Sequence, residues 1–299
     1  MGFGDVTTQG TVAVLGPGAV GGVLAVPLVE AGFDVVCIAR ADTAAAITSR
    51  GLSLRHGSEV TTVRLRAVEE LDEPVDLLLV TVKATGLDDA LRQIKTTPAA
   101  VLPLLNGLEH VDTIRRSLDG QVLAGSIGKL EAYRDGPAEV VQTTSAPLIT
   151  IFPENGAAEL LRKAGLDVRA GGSERAVLWE KTVRLAPLAA ATAITQKTLG
   201  ELRSDGTWRS TLETAVTEAC AVAAADGVTL NVDAQWEILD TMPASVTTST
   251  ARDAAAGRPT ELDAILGAVV RAARRLGVAA PTLDRLQAEA EDACRAQSH

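Results

Sequence analysis

Hydrophobic and polar positions follow two different rhythms along this chain. Up to about residue 170, short apolar runs alternate with mixed stretches of helical period. Residues 11–15, 35–38, 76–82, 101–105 and 122–127 predict buried parallel strands. Residues 19–31, 41–50, 87–94 and 110–117 predict the helices between them. Residues 52–54 and 63–65 predict short strands near an edge. The stretch 131–151 alternates around Arg134-Asp-Gly-Pro137, which predicts a hairpin extending the sheet in antiparallel fashion. After Gly171-Gly172 the strand signal nearly vanishes. Ser173 is placed to cap a long Ala/Leu-rich helix, residues 204–226 form another run ending at Gly227, and Pro259-Thr-Glu-Leu262 opens a third that ends at Gly277. The expected division is therefore an α/β domain over residues 1–172 and an all-helical domain over residues 173–299.

The first strand runs directly into Gly16-Pro17-Gly18-Ala19-Val20-Gly21, a G-x-G-x-x-G turn that opens a helix. Gly16 permits the tight turn, Gly18 lets the backbone approach a pyrophosphate, and Gly21 lets the helix pack closely on the strand. The helix N-terminus then offers unpaired N–H groups and a positive dipole end to phosphate. A glycine-rich loop alone is weak, and a structural βα turn is the bland alternative. The second strand at βαβ spacing favours a dinucleotide site, and with it a Rossmann-type, doubly wound sheet. NAD-binding versions carry an acidic residue after the second strand; here Arg40 stands there, 19 residues after Gly21. A cation at that place suits a 2′-phosphate, so NADPH is the expected cofactor. A solvated Arg40, or one paired with Asp42, is the alternative.

Composition narrows the remaining classes. The 299 residues are 46% hydrophobic but only 2% aromatic, so Ala, Val and Leu must build the core. Mean hydropathy is +0.18 and the isoelectric point is about 4.9. A net charge of −10 argues against nucleic acid or an anionic membrane as partner. Cys37, Cys220 and Cys294 are isolated and no Cys/His cluster occurs, which argues against disulfides and a structural metal. The opening residues show no leader pattern, and the apolar stretch 12–29 is broken by Gly and Pro. The expectation is a cytoplasmic protein with no membrane span. The Ala-rich helical faces also suit pairing as a homodimer.

Lys83 and Asn106 follow predicted strands, and strand C-termini in such sheets face the ligand crevice. Lys83 suits a cofactor phosphate or ribose, or is simply solvated. Asn106 suits nicotinamide or substrate, or is a turn residue before Gly107. Lys181, in Leu178-Trp-Glu-Lys181, lies on the helix expected at the domain junction. There it can act as a general acid toward a carbonyl oxygen once burial lowers its pKa. A helix lysine is most often merely solvated. Glu261 and Ser249 are equally ambiguous alone, since Pro259 and Glu261 also make good helix-start chemistry. His56, His110 and His299 offer no nucleophilic triad, and Trp179, Trp208 and Trp236 read as core or interface anchors.

In order, these motifs resemble the ketopantoate reductase (2-dehydropantoate 2-reductase) family. The likeness runs through Gly16–Gly21, Arg40, Leu79-Val-Thr-Val-Lys83, Leu105-Asn-Gly107, Leu178-Trp-Glu-Lys181 and Gly200-Glu-Leu202. It continues through Ser249, Asp253 and Gly257-Arg-Pro-Thr-Glu-Leu-Asp263 to Pro281. The resemblance implies NADPH-dependent reduction of a 2-oxo acid. It makes Lys181 the general acid, Glu261 its supporting carboxylate, and Asn106 and Ser249 lining groups. Arg40 and Lys83 become cofactor contacts.

The departures from the family pattern concern the substrate grip. The family carries Asn four and eight residues after the lysine, where this chain has Leu185 and Ala189. Further Asn positions match Leu199 and Val246. An apolar pocket would leave ketopantoate's polar groups unpaired, each at about 1–3 kcal/mol. The expected substrate is therefore a bulkier or less polar carbonyl compound, gripped near Leu185, Ala189, Val246 and Ser249. The alternatives are authentic ketopantoate reduction, alcohol oxidation or imine reduction on the same scaffold, and a non-catalytic NADP-binding sensor.

Overall fold

The computed structural model describes residues 10–144 and 146–297; His299 and the opening residues 1–9 lie outside the described residues. The chain forms two compact units. One runs up to Leu105 and resumes over His110–Glu174; the other takes Asn106–Glu109 and the chain from Arg175 onward.

The first unit begins β1 (Thr11–Leu15), α1 (Ala19–Glu30), β2 (Asp34–Ile38), α2 (Ala41–Arg50), β3 (Leu52–His56) and β4 (Glu59–Val63). It continues β5 (Arg66–Val68), β6 (Leu77–Val80), a 3₁₀ turn (Ala84–Gly86), α3 (Leu87–Leu91), β7 (Ala100–Pro103) and α4 (His110–Ser117). It closes with β8 (Gln121–Val122), β9 (Ala124–Gly128), β10 (Ala132–Gly136), β11 (Glu139–Gln142), β12 (Leu148–Phe152), α5 (Gly156–Lys163) and β13 (Asp167–Ala170). Six strands form one all-parallel sheet in the order β5-β2-β1-β6-β7-β8. Its central strands are buried almost throughout, as strands covered on both faces must be.

Three sequence expectations need correction. The hairpin around Asp135 forms as β10 and β11, yet it does not extend the parallel sheet. It joins β3 and β4 in a second sheet, ordered β10-β11-β3-β4, in which β11 pairs parallel with β3. The expected edge strand at 52–54 therefore belongs to that second sheet as β3. Of the one expected at 63–65 only Val63 is strand, as the end of β4, and residues 64–65 link β4 to β5. One edge of the first sheet is the three-residue β5. The run 122–127 is two strands. Val122 stays with β7, while β9 pairs antiparallel with β12 in a third sheet, β13-β12-β9. Alternation reports that a segment is a strand, not which neighbour it takes.

α1 explains the second sheet. It packs on β1 and β2 and also on β3, β4, β10 and β11. A helix covered on two sides has no polar face to keep, and the buried set Gly21–Val26 and Leu28 runs round it.

The second unit contains α6 (Glu174–Thr195), α7 (Leu199–Ser204), α8 (Gly206–Ala225), α9 (Val232–Thr241), α10 (Ser249–Ala255), α11 (Ala268–Leu276) and α12 (Pro281–Gln297). No strand occurs among its described residues. The helical run expected from Pro259 starts later. Glu261 lies in a bend, and one π-helical turn, Asp263–Gly267, leads into α11, which ends on left-handed Gly277. Alanines of α6, α8 and α11 meet in one core with Trp179, Leu212, Leu266 and Leu283. Small side chains let these helices approach closely, which is how a core with few aromatics is filled. No helix among the described residues is long and apolar enough to cross a membrane.

Candidate active site

The glycine turn of the first unit is an open cradle held by backbone bonds. Gly16 has φ +84°, and its N–H donates to the Ile38 carbonyl at 3.0 Å. A Cβ on Gly16 would sit 2.5 Å from Val82 Cγ1. One on Gly21 would sit 2.5 Å from both the Gly16 carbonyl and Thr81 Oγ1. Thr81, which the sequence reading passed over, donates from its hydroxyl to the carbonyls of Leu15 at 3.1 Å and Gly16 at 2.8 Å. Only its place one residue past a central strand signalled it. Gly18 has room above it, with no neighbour nearer its absent Cβ than Arg134 Cδ at 3.8 Å. α1 begins at Ala19 with no side-chain cap and no acidic residue in its first turn. Its amide ends and dipole are left for an external anion, so this cradle fits a dinucleotide pyrophosphate. Pro17 is buried within the turn, and Ala19 and Val20 are partly exposed.

Arg40 is exposed at the start of α2, where its carbonyl accepts from Thr43 and Ala44 at 2.9 Å each. Among the described residues no ion pair joins it to Asp42. Lys83 is exposed three residues past β6, at the start of the 3₁₀ turn, and does not end the strand itself.

The second unit holds Lys181, Asn106 and Glu261. Lys181 lies on α6, partly buried, and its Nζ donates to Asn106 Oδ1 at 2.7 Å. The ammonium pKa is lowered to about 8, chiefly by burial, with the Glu261 carboxylate opposing the shift and Arg184 adding to it. Glu261 is itself buried. Asn106 reaches this place because its segment belongs to the helical unit. Gly107 has φ +98° and lies against the Ala264 carbonyl too closely for any Cβ. Arg271 grips Glu109 with two bonds, Nε to Oε1 at 3.0 Å and Nη2 to Oε2 at 2.8 Å. Arg184 went unnoticed in the sequence, though its spacing of three from Lys181 puts it on a neighbouring helix position. Its Nη1 donates to Gln235 Oε1 on α9.

The residues expected to shape the substrate grip differ in burial, although the Leu199 N–H donates to the Val246 carbonyl at 2.8 Å. Leu185 and Val246 are partly buried and pack on the helical core, whereas Ala189 and Leu199 are wholly buried in it. Ser249 is exposed as the first residue of α10, whose cap is Thr248 instead. Trp179 is a core anchor, with Nε1 donating to Asp226 Oδ2 at 2.9 Å. His56 is exposed on β3 and His110 is buried at the start of α4.

The first unit holds a strand–helix turn that fits an anion, and the second holds a lysine whose ammonium pKa is lowered by burial. Each by itself is a feature that a dinucleotide-dependent oxidoreductase would use. The comparisons with known proteins make the class specific. The chain belongs to the ketopantoate reductase family: the description "Ketopantoate reductase PanE/ApbA" matches residues 12–156, and "Ketopantoate reductase PanE/ApbA C terminal" matches residues 175–292. It is an oxidoreductase acting on CH–OH or C=O groups. It is 30% identical over 289 residues to a 2-dehydropantoate 2-reductase of Mycobacterium tuberculosis, covering 92% of this chain and 95% of that one. A solved PanE/ApbA family ketopantoate reductase from Ralstonia eutropha is similar at 31% identity and a TM-score of 0.87, covering 97% of this chain and all (100%) of that one. The fold is also that of D-mandelate dehydrogenase, solved with NADH and anilino(oxo)acetate. The identity there is 24% and the TM-score 0.86, with coverage of 97% and 100%.

Proposed function

We propose that this chain is an NADPH-dependent reductase of a 2-oxo acid or related carbonyl compound, with Lys181 as its general acid. The observation that carries the reading is the Lys181 ammonium, lowered to about 8 beside Asn106 and Glu261. A proton donor is most effective when its pKa lies near the working pH. When bound, the reduced nicotinamide supplies a hydride. Lys181 hands its Nζ proton to the carbonyl oxygen, so that a neutral alcohol leaves instead of an alkoxide. Asn106 Oδ1 accepts from Nζ and orients it, and the Glu261 charge favours recovery of the proton. Gly16, Gly18, Gly21 and the first turn of α1 would hold the pyrophosphate, with Lys83 a further cofactor contact. Arg40, exposed at the start of α2, would take a 2′-phosphate, which favours NADPH over NADH.

The fold itself does not choose the substrate, since it serves both 2-dehydropantoate reductases and D-mandelate dehydrogenase. The side chains favour a less polar one: Leu185 and Val246 present apolar groups where the family pattern has amides. Arg184 favours an acid, because a cation felt at Lys181 also attracts a substrate carboxylate.

The test is steady-state kinetics with NADPH and NADH over 2-oxo acids, ketones and imines. A preference for NADPH and for an apolar 2-oxo acid is expected. Ketopantoate turnover at about 10⁵ M⁻¹s⁻¹ or better would defeat the altered-substrate reading. A Lys181→Met protein should bind NADPH as before and turn nothing over; retained turnover would remove Lys181 from the mechanism.

A further inference from the structure

The β10–β11 hairpin brings a second arginine to the glycine turn. Gly22 in α1 has no side chain, and a Cβ there would lie 2.5 Å from Val140 Cγ2. Val140 of β11 thus seats directly on the helix one turn from its start. Arg134 is the ladder partner of Val140 in this antiparallel pair. Directly opposed residues share a sheet face, so Arg134 points toward α1 as Val140 does. Its Cδ stands 3.8 Å from the point where a Cβ on Gly18 would be. Its Nη2 lies 3.5 Å from Thr43 Oγ1 on the first turn of α2, three residues after Arg40. The side chain therefore spans from the glycine turn to the start of α2. It is exposed, and among the described residues it enters no ion pair. The neighbouring Asp135 is instead taken by Arg55 at 2.6 Å. In a chain of net charge −10, a cation left without an acid beside an uncapped helix start is informative.

We propose that Arg134 is a phosphate-binding residue of the dinucleotide site, acting from the hairpin alongside Arg40. The proposal rests on the reading of the glycine turn as an NADPH site and adds a contact that the turn's own motif does not contain. The ligand chemistry is a phosphate oxyanion, met by the planar guanidinium fork. Two phosphates of one cofactor qualify, the pyrophosphate over Gly18 and the 2′-phosphate beside α2.

The test is equilibrium binding, read by fluorescence titration, of NADPH, NADH and adenosine 2′,5′-bisphosphate to the full-length protein. The parent is compared with Arg134→Ala, Arg134→Lys and Arg40→Ala. Arg134→Ala should weaken NADPH by about tenfold, the order of one charge-assisted contact. Arg134→Lys should recover part of that loss. A loss confined to NADPH and the bisphosphate assigns the 2′-phosphate; an equal loss for NADH assigns the pyrophosphate. Unchanged affinity for all three probes in Arg134→Ala overturns the proposal, while an Arg40→Ala effect in the same series would leave the underlying NADPH reading intact. A parent protein that binds no dinucleotide would overturn both. Arg134 is exposed and its strand pairs through the backbone, so circular dichroism and the melting temperature should match the parent.

Discussion

Lys181 Nζ donates to Asn106 Oδ1 at 2.7 Å, although the two residues stand 75 positions apart in the chain. An amide oxygen that accepts from an ammonium stabilises its charged form. The reductive reaction needs that form, so kcat should be level below about pH 8 and fall tenfold per unit above it. Oxidation of the alcohol needs the neutral amine and should show the mirror image. Asn106→Ala and Glu261→Gln each remove something that favours the charged lysine. Both should therefore move the alkaline limb of the reductive profile to lower pH. A pH profile of kcat over pH 5–10 decides it; a limb that stays put or moves upward contradicts the assignment.

Three residues beyond the same amide, the chain makes a contact at the surface. Glu109 and Arg271 form a two-pronged ion pair, and Arg271 also donates to Asp263 Oδ1 at 2.6 Å. The Glu109 and Arg271 side chains are 54% and 41% exposed, so the pair contributes only about 0.2–1 kcal/mol to stability. Its larger effect should be on position, because Glu109 is three residues from Asn106. Glu109→Ala should leave the melting temperature nearly unchanged. It should lower kcat and move the pH limb in the same direction as Asn106→Ala, with no change in NADPH affinity. Substituting Asn106 as well should add little. Full additivity of the two substitutions would show that the pair does not act through Asn106.

Trp179 makes a separate claim on stability. Its indole N–H satisfies Asp226, a nearly buried carboxylate that Arg275 also approaches at 3.3 Å. Trp179→Phe keeps most of the apolar volume and removes the donor. Leaving that acceptor short of one bond should cost about 1–3 kcal/mol. Urea unfolding followed by circular dichroism should show a lower midpoint, with cofactor binding unaltered at low urea. An unchanged midpoint would mean that water or an arginine replaces the indole without loss.

What the sequence made legible was local. Gly16, Gly18 and Gly21 announced the strand–turn–helix because each answers to a neighbour within a few residues, and the βαβ spacing followed from apolar runs. What stayed hidden depended on partners distant in sequence. The transfer of Asn106–Glu109 to the helical unit rests on Gly107 against Ala264 and on Glu109 with Arg271, and neither leaves any periodicity to read. The hairpin was visible in its turn residues, but its choice of β3 was set by the apolar outer side of α1. Arg134 was read only as part of a turn, because its nearness to Gly18 exists only once that hairpin is seated.

The substrate reading can be tested at one side chain. Leu185 stands one helical turn beyond Lys181 and is only partly buried, so an amide placed there can turn toward a ligand. Ala189, a further turn on, is wholly enclosed by the helical core. Leu185→Asn should raise kcat/KM for ketopantoate on the order of tenfold, since one matched polar contact is worth about 1–3 kcal/mol against an unpaired group. It should lower kcat/KM for an apolar 2-oxo acid such as benzoylformate. Ala189→Asn should do neither, because its amide would be buried among apolar neighbours and would lower the melting temperature instead. Kinetics of both variants on both acids, beside their melting curves, separates these outcomes. If Leu185→Asn leaves the ratio of the two specificity constants where it was, the side chain at 185 does not touch the substrate and the selectivity argument loses its anchor.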